Sequence, residues 1–212
     1  MQSCYEEGVL QVTAAVSLLQ RSRLLRWHRA KAEFVAVDWQ GFENCWVRID
    51  PSFGRFICWI TFSAGAELLG KGVCLIRDVE VRKPDPKPVP RAPTSGADRA
   101  EWARQFCRNE KFGGTIDTTN FGTLKDLKRH LVRLSEAANA DKPERELLLA
   151  AFQFLATTIR NRDAHAYVKG VRDDHFHLVA ELFVPCFNLM VSWLPDGPGT
   201  LSKWMDDTVH NS

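Results

Sequence analysis

Two tyrosines and three methionines occur in 212 residues, the charge is nearly balanced, and no two of the six cysteines form a Cys-x-x-Cys pair. The cysteines, Cys4, Cys45, Cys58, Cys74, Cys107 and Cys186, stand singly and mostly inside apolar runs such as Phe56-Ile57-Cys58-Trp59-Ile60. Cysteine behaves there as a small hydrophobe, which argues against a zinc knuckle or a disulfide framework and fits a reducing cytoplasm. Glu6 and Glu7 precede the first apolar stretch in place of a basic leader, so no secretory signal is expected. No apolar run is expected to reach the roughly 20 residues that cross a bilayer. A formal net charge of +2 does not by itself call for a polyanionic partner.

What is present reads as an ordinary folded chain, 45 % apolar and 25 % charged, long enough for one or two domains. Basic residues outnumber acidic ones 13 to 10 before Asp98, and 15 stand against 16 from there on. The excess gathers at Arg21, Arg23, Arg26, Arg29 and Lys31, with His28 among them. Such a cluster serves either as the solvated face of a helix or as a track for phosphates.

The expected class is α+β. Val9, Leu10, Val12, Val16, Leu18, Leu19, Leu24 and Leu25 recur at helical spacing, predicting a helix from Glu7 to Trp27. The period then changes. Phe34 to Trp39, Cys45 to Ile49, Phe56 to Phe62, Val73 to Ile76 and Val79 to Val81 are short, β-branched and aromatic, and turn residues separate them. They predict a small antiparallel sheet of four or five strands. Half of the ten prolines fall between Lys83 and Pro93, an extended spacer that no sheet or helix can continue. The expected division is therefore a helix plus β-rich module over residues 1–82, a Pro-rich linker over 83–97 and a helical domain over 98–212.

Within that last part, Asp98 can cap a helix running to about Phe112, and Thr123 can cap one carrying Leu124, Leu127, Leu131 and Leu134. Asp141-Lys142-Pro143-Glu144 has the form of a capping box that opens an apolar helix through Ile159. A further helix is expected from about Arg172 to Trp193, ending before Pro195-Asp196-Gly197-Pro198-Gly199. Four or five helices with short connections predict a bundle.

Chemistry concentrates in Ile159-Arg160-Asn161-Arg162-Asp163-Ala164-His165-Ala166-Tyr167. A guanidinium presents a planar fork to phosphate oxygens, and an imidazole with a free pKa near 6.5 exchanges a proton at neutral pH. On a straight α-helix, five residues turn through 500°, so Arg160 and His165 would stand about 140° apart while Asn161 and His165 share a face. Each residue also has an ordinary structural role open to it: Arg160 as a helix-end charge, His165 as a bonded terminus, Arg162 with Asp163 as a surface pair, and Tyr167 as packing. His175 and His177, two apart, point away from each other on a helix and do not suggest a metal pair. No Ser/His/Asp order, phosphate-cradling glycine loop or paired-carboxylate motif stands out.

Arg160-Asn161 and then, after three intervening residues, His165, following an apolar helix and preceding another that contains Leu182-Phe183-Val184-Pro185, resembles the HEPN family. The likeness spans about Arg99 to Trp193. It implies a metal-independent endoribonuclease without a cofactor, with Arg160 and His165 as the catalytic pair and Asn161, Arg162 and Tyr167 binding substrate. It also implies RNA as partner, a homodimer whose motifs face one cleft, and a prokaryotic defence or toxin-antitoxin setting with an antitoxin or sensor protein. The alternative within the family is a non-catalytic dimerisation or nucleotide-binding module. A third reading is a DNA-binding regulator using the basic first helix at Arg21, Arg23 and Arg26.

The front region carries no motif that identifies it. Its aromatics Phe34, Trp39, Phe42, Trp46, Phe53, Phe56 and Trp59 suit either a stacking platform for single-stranded nucleic acid or the core of a small sheet.

Overall fold

A computed structural model of the chain describes residues 4–37, 51–79, 81, 124–160 and 173–210. Contacts group the chain into two units, one of Met1–Val81 with Thr123–Ser212 and one of Arg82–Gly122; the second lies outside the described residues. Among the described residues the first is mostly helical, with six α-helices and a two-stranded antiparallel sheet.

Helix α1 (Cys4–Arg21) places Glu6 and Glu7 in its first turn and Arg21 in its last, each complementing the helix dipole, and buries Val12, Ala15, Val16 and Leu19. It stops six residues short of the expected Trp27. Ser22 is buried, its hydroxyl donating to the Leu19 carbonyl at 2.5 Å and accepting from the Leu24 N–H at 3.3 Å. Arg23 turns the chain with φ 61°. From Leu25 on, the side chains alternate. Leu25 and Trp27 are buried while Arg26 is exposed, the period-two pattern of strand β1 (Leu25–His28). It pairs with β2 (Glu33–Ala36) in the register Leu25 to Ala36 and His28 to Glu33. The expected Phe34 strand is thus present, although the basic cluster lies along a helix end and a hairpin instead of one helix face.

The larger correction concerns residues 51–76. The expected strands Phe56 to Phe62 and Val73 to Ile76 belong to one helix, α2 (Pro51–Ile76), and the described Val79 and Val81 are not in a strand. Strand propensity loses here because the buried set Trp59, Phe62, Ala66, Leu69, Val73 and Ile76 has the 3-4-3-4-3 spacing of a helix stripe. The glycines that resemble turn punctuation are contact points. A Cβ on Gly72 would lie 2.9 Å from the Gly8 carbonyl oxygen and 2.7 Å from Val12, one on Gly8 would lie 2.7 Å from Ile76, and one on Gly65 would lie 2.8 Å from Leu19. α1 and α2 therefore run antiparallel with their backbones nearly touching. The expected strand Cys45 to Ile49 lies outside the described residues, as do the Pro-rich stretch 83–97 and the helix from Asp98.

Among the described residues one helix is long and apolar enough to cross a membrane, Ile57–Ile76 within α2, where no such run was expected. Most of that window, 78 %, is buried inside the protein, as suits a core helix. Its Glu67 and Lys71 form a buried ion pair at 2.6 Å.

α2 ends in a Schellman motif: Val79 N–H donates to the Cys74 carbonyl at 2.7 Å and Asp78, with φ 57°, donates to Leu75 at 3.2 Å. Helix α3 (Leu124–Ala137) follows its expected stripe, burying Leu127, Leu131 and Leu134, and ends in the same motif around Asn139 (φ 54°). Arg77 adds a bond from its guanidinium to the Ala137 carbonyl at 3.0 Å. The capping box of α4 (Lys142–Phe154) is present as expected: Glu144 N–H donates to Asp141 Oδ1 at 2.9 Å and Asp141 N–H to Glu144 Oε2 at 3.0 Å.

The expected final helix is broken into a 3-10 turn (Asp173–Phe176), a π-turn (Val179–Phe183) and helix α5 (Val184–Ser192). Pro185 explains the middle piece. It has no N–H to return and its ring crowds the carbonyl of residue 181, so the turn ahead opens until Val184 N–H reaches the Val179 carbonyl. Helix α6 (Gly199–His210) follows, an element without an expected counterpart. Residues on both sides of the Pro-rich stretch share one core, in which Trp59 and Phe62 meet Phe183 and Phe62 meets Phe187.

Candidate functional site

α4 leads into the motif without staying α-helical. From Leu155 to Arg160 the chain winds as a π-turn. Within it the Thr157 hydroxyl donates back to the Gln153 carbonyl at 2.8 Å. The 140° separation between Arg160 and His165 applies to a straight α-helix, and the straight helix ends at Phe154. Arg160 is the last residue of the π-turn; its side chain, together with Asn161, Arg162, His165 and Tyr167, lies outside the described residues. Their mutual geometry is thus no part of the described structure.

The chain is described again at Asp173, and both flanks of the motif meet the same group of rings. Trp59, fully buried on α2, lies 6.2 Å from Phe154 on the near flank and 5.6 Å from Phe176 on the far flank, centroid to centroid. Phe154 also meets His175 edge-on at 5.2 Å and Phe183 at 5.9 Å. Among the described residues the Trp59 indole N–H has no hydrogen-bond partner. Burying such a donor without a partner costs about 1–3 kcal/mol. Trp59 is therefore a core ring, and so is Phe34, which is buried against Trp27 and Phe187. Neither serves an open stacking platform; Trp39, Phe42 and Trp46, and the Phe53 and Phe56 side chains, lie outside the described residues.

Elsewhere the chemistry is subdued. His175 is half-buried and His177 exposed, one in the 3-10 turn and one just past it, and no group of three metal-ligating side chains occurs among the described residues. In the basic cluster, Arg29 pairs with Asp206 at 3.1 Å and Lys31 approaches Glu33 at 3.7 Å, all on exposed side chains. Among the described residues no disulfide joins Cys4, Cys58, Cys74 or Cys186. Burial pushes Cys58 up to about 12, against a smaller lowering by Arg23, and burial raises Cys74 and Cys186 as well. These three are inert at neutral pH and are not nucleophiles.

The sequence reading missed Trp59 as a partner of the motif's flanks, and missed Asn188, which fastens the hairpin. The only available signal for Trp59 was its place in a helical stripe with Phe62 and Ala66. No protein family, curated protein or solved structure matches the chain.

Proposed function

We propose that the chain is an endoribonuclease of the HEPN type, cutting RNA without a metal ion or other cofactor. In this reading His165 takes the proton from a ribose 2′-hydroxyl as that oxygen attacks the adjacent phosphorus. Arg160 compensates the charge that builds on the phosphoryl oxygens, the bond from phosphorus to the 5′ oxygen breaks, and that oxygen takes a proton from a protonated imidazole or from water, leaving a 2′,3′-cyclic phosphate and a 5′-hydroxyl. Asn161, Arg162 and Tyr167 bind the strand. Two copies supply facing motifs in a homodimer of HEPN-like bundles, acting in the cytoplasm of a prokaryotic defence or toxin-antitoxin system under an antitoxin or sensor protein.

One observation carries the reading: Arg160 ends the π-turn that continues the apolar helix α4, Asn161 and His165 follow it in the sequence, and α4 packs against the π-turn Val179–Phe183 and α5. The π-turn that ends at Arg160 adds support, since such turns are frequent at functional sites. The unbridged, buried Cys58, Cys74 and Cys186 suit a reducing compartment.

The test is to incubate the protein and its His165→Ala variant with total RNA in EDTA and to map fragment ends. Fragments with cyclic phosphate ends from the wild type and none from the variant are expected. Intact RNA with both proteins would leave the non-catalytic, dimerising module, and equal cleavage by both would remove His165 from the mechanism. A monomer in light scattering at micromolar concentration would remove the shared cleft.

A further inference from the structure

Both flanks of the 161–172 segment leave the α-helical ladder, one as the π-turn Leu155–Arg160 and the other as the 3-10 turn Asp173–Phe176. Their backbone bonds run i to i−5 and i to i−3 in place of the regular i to i−4 ladder. Side chains join the two flanks. Phe154, the last residue of α4, and Phe176, the last of the 3-10 turn, both lie against Trp59, and His175 closes the set edge-on to Phe154. Trp59 comes from α2, a helix remote in sequence that is seated against α1 through Gly8, Gly65 and Gly72. The two ends are therefore referred to a third, rigid element.

The indole itself is the second observation. A phenylalanine would fill an apolar cluster without burying an N–H, whereas Trp59 is fully buried and its N–H is unpaired among the described residues. What the larger ring provides is reach: it also touches Phe62 at 5.4 Å and Phe183 at 6.2 Å, so four rings from four elements converge on it. Aromatic pairs at such separations add specific geometry to burial.

We infer that Trp59 is a positioning residue that couples the two flanks of the Arg160–His165 segment, holding Phe154 and Phe176 in one fixed relation and so setting where the motif is presented. As far as activity is concerned, this rests on the ribonuclease reading; the coupling itself does not.

Hydrogen exchange on the full-length protein separates the two. Phe176→Leu removes a ring from the far flank only. If Trp59 couples the flanks, exchange rises about tenfold at residues 155–160 as well as at 173–178, while 127–137 and 184–192 keep their wild-type rates. Trp59→Leu is expected to give the same local pattern, and Trp59→Phe to restore most of the protection. A rise confined to the far flank in Phe176→Leu, or an equal rise in every helix, would overturn the coupling. Should Trp59→Leu fail to fold, Phe176→Leu, at a partly exposed position, still decides it. Where the wild type cleaves RNA, Trp59→Leu should lower kcat about tenfold with KM within about twofold, the signature of a displaced catalytic group and not of lost binding. An unchanged kcat alongside coupled exchange would overturn the positioning role. A wild type that leaves RNA intact would remove the ribonuclease reading, and the exchange result would still decide the coupling.

Discussion

Asn188 and Phe34 lie 154 positions apart and hold each other by two hydrogen bonds: the Phe34 N–H donates to Asn188 Oδ1 at 2.6 Å, and Asn188 Nδ2 donates to the Phe34 carbonyl at 3.0 Å. One side-chain amide on α5 thus stands in for the backbone of a third strand. It occupies the free edge of β2 and fixes the hairpin on the core, where the Phe34 ring is buried against Phe187. Asn188→Leu would keep the bulk and lose both bonds, leaving two backbone groups short of partners. A loss of about 1–3 kcal/mol is expected in urea denaturation. Asn188→Asp keeps the acceptor but sets a carboxylate against the Phe34 carbonyl, and should be no more stable than the leucine variant.

Glycine replacements on α2 should divide by what the new Cβ meets. At Gly72 it would meet the Gly8 carbonyl oxygen at 2.9 Å, a backbone atom that cannot yield without moving a helix. At Gly70 its nearest neighbours are Leu127 Cδ2 at 3.1 Å and the Phe152 ring tip at 3.2 Å, ends of side chains that can shift. Alanine gains about 1 kcal/mol of helix propensity at either place. Gly70→Ala is therefore expected to lie within about 1 kcal/mol of wild type, and Gly72→Ala to lose about 1–3 kcal/mol or more through overpacking. Thermal melts of the two variants side by side measure the contrast, and equal effects would contradict the close approach of α1 and α2.

The reciprocal cap at the start of α4 should be measurable by itself. Asp141→Ala removes the acceptor for the Glu144 N–H and is expected to cost about 1 kcal/mol, whereas Asp141→Asn or Asp141→Ser should retain most of the stability. Because α4 leads directly to Arg160, the same variants report whether fraying at its first turn reaches its last. The cap lies far outside the final turn, so equilibrium denaturation should register the change and hydrogen exchange at 155–160 should not.

Alkaline pH should weaken the fold through the buried thiols. Burial holds Cys58, Cys74 and Cys186 above their ordinary value of 9.0, Cys58 at about 12. The folded thiols stay protonated while those of the unfolded chain ionise, so their contribution is intact below about pH 9 and is lost as pH rises toward the folded values, by about 1 kcal/mol per thiol per pH unit. Denaturation midpoints measured under reductant at pH 8 and pH 10 should fall, and the fall should be shallower in Cys186→Ala. The same burial predicts that a thiol-alkylating reagent at pH 8 modifies the half-buried Cys4 well before those three, which peptide mass spectrometry can follow.

Where a local rule was sufficient, the structure agrees with the sequence. The Asp141 capping box, the Leu127, Leu131, Leu134 stripe and the apolar helix before Arg160 depend on residues within one or two turns of each other, and all are present. The strand expectations at Phe56 to Phe62 and Val73 to Ile76 did not hold, since β-branched and aromatic residues suit a strand or a fully buried helix equally well. Only the surroundings of α2 decide between the two, with α1 on one side and the rings of α4, the second π-turn and α5 on another.

The sequence by itself determined the helix stripes, the caps, and the placing of Arg160, Asn161 and His165 just after an apolar helix, because each is written in spacings of three to five residues. Tertiary structure decided that 51–76 is one helix, that glycines there are contacts and not turns, and that Trp59 and Asn188 bind parts of the chain far from them. The reason is distance along the chain. A side chain's partner more than a hundred residues away leaves no periodic trace beside it, and becomes readable only when close packing has brought the two within reach of a ring contact or a hydrogen bond.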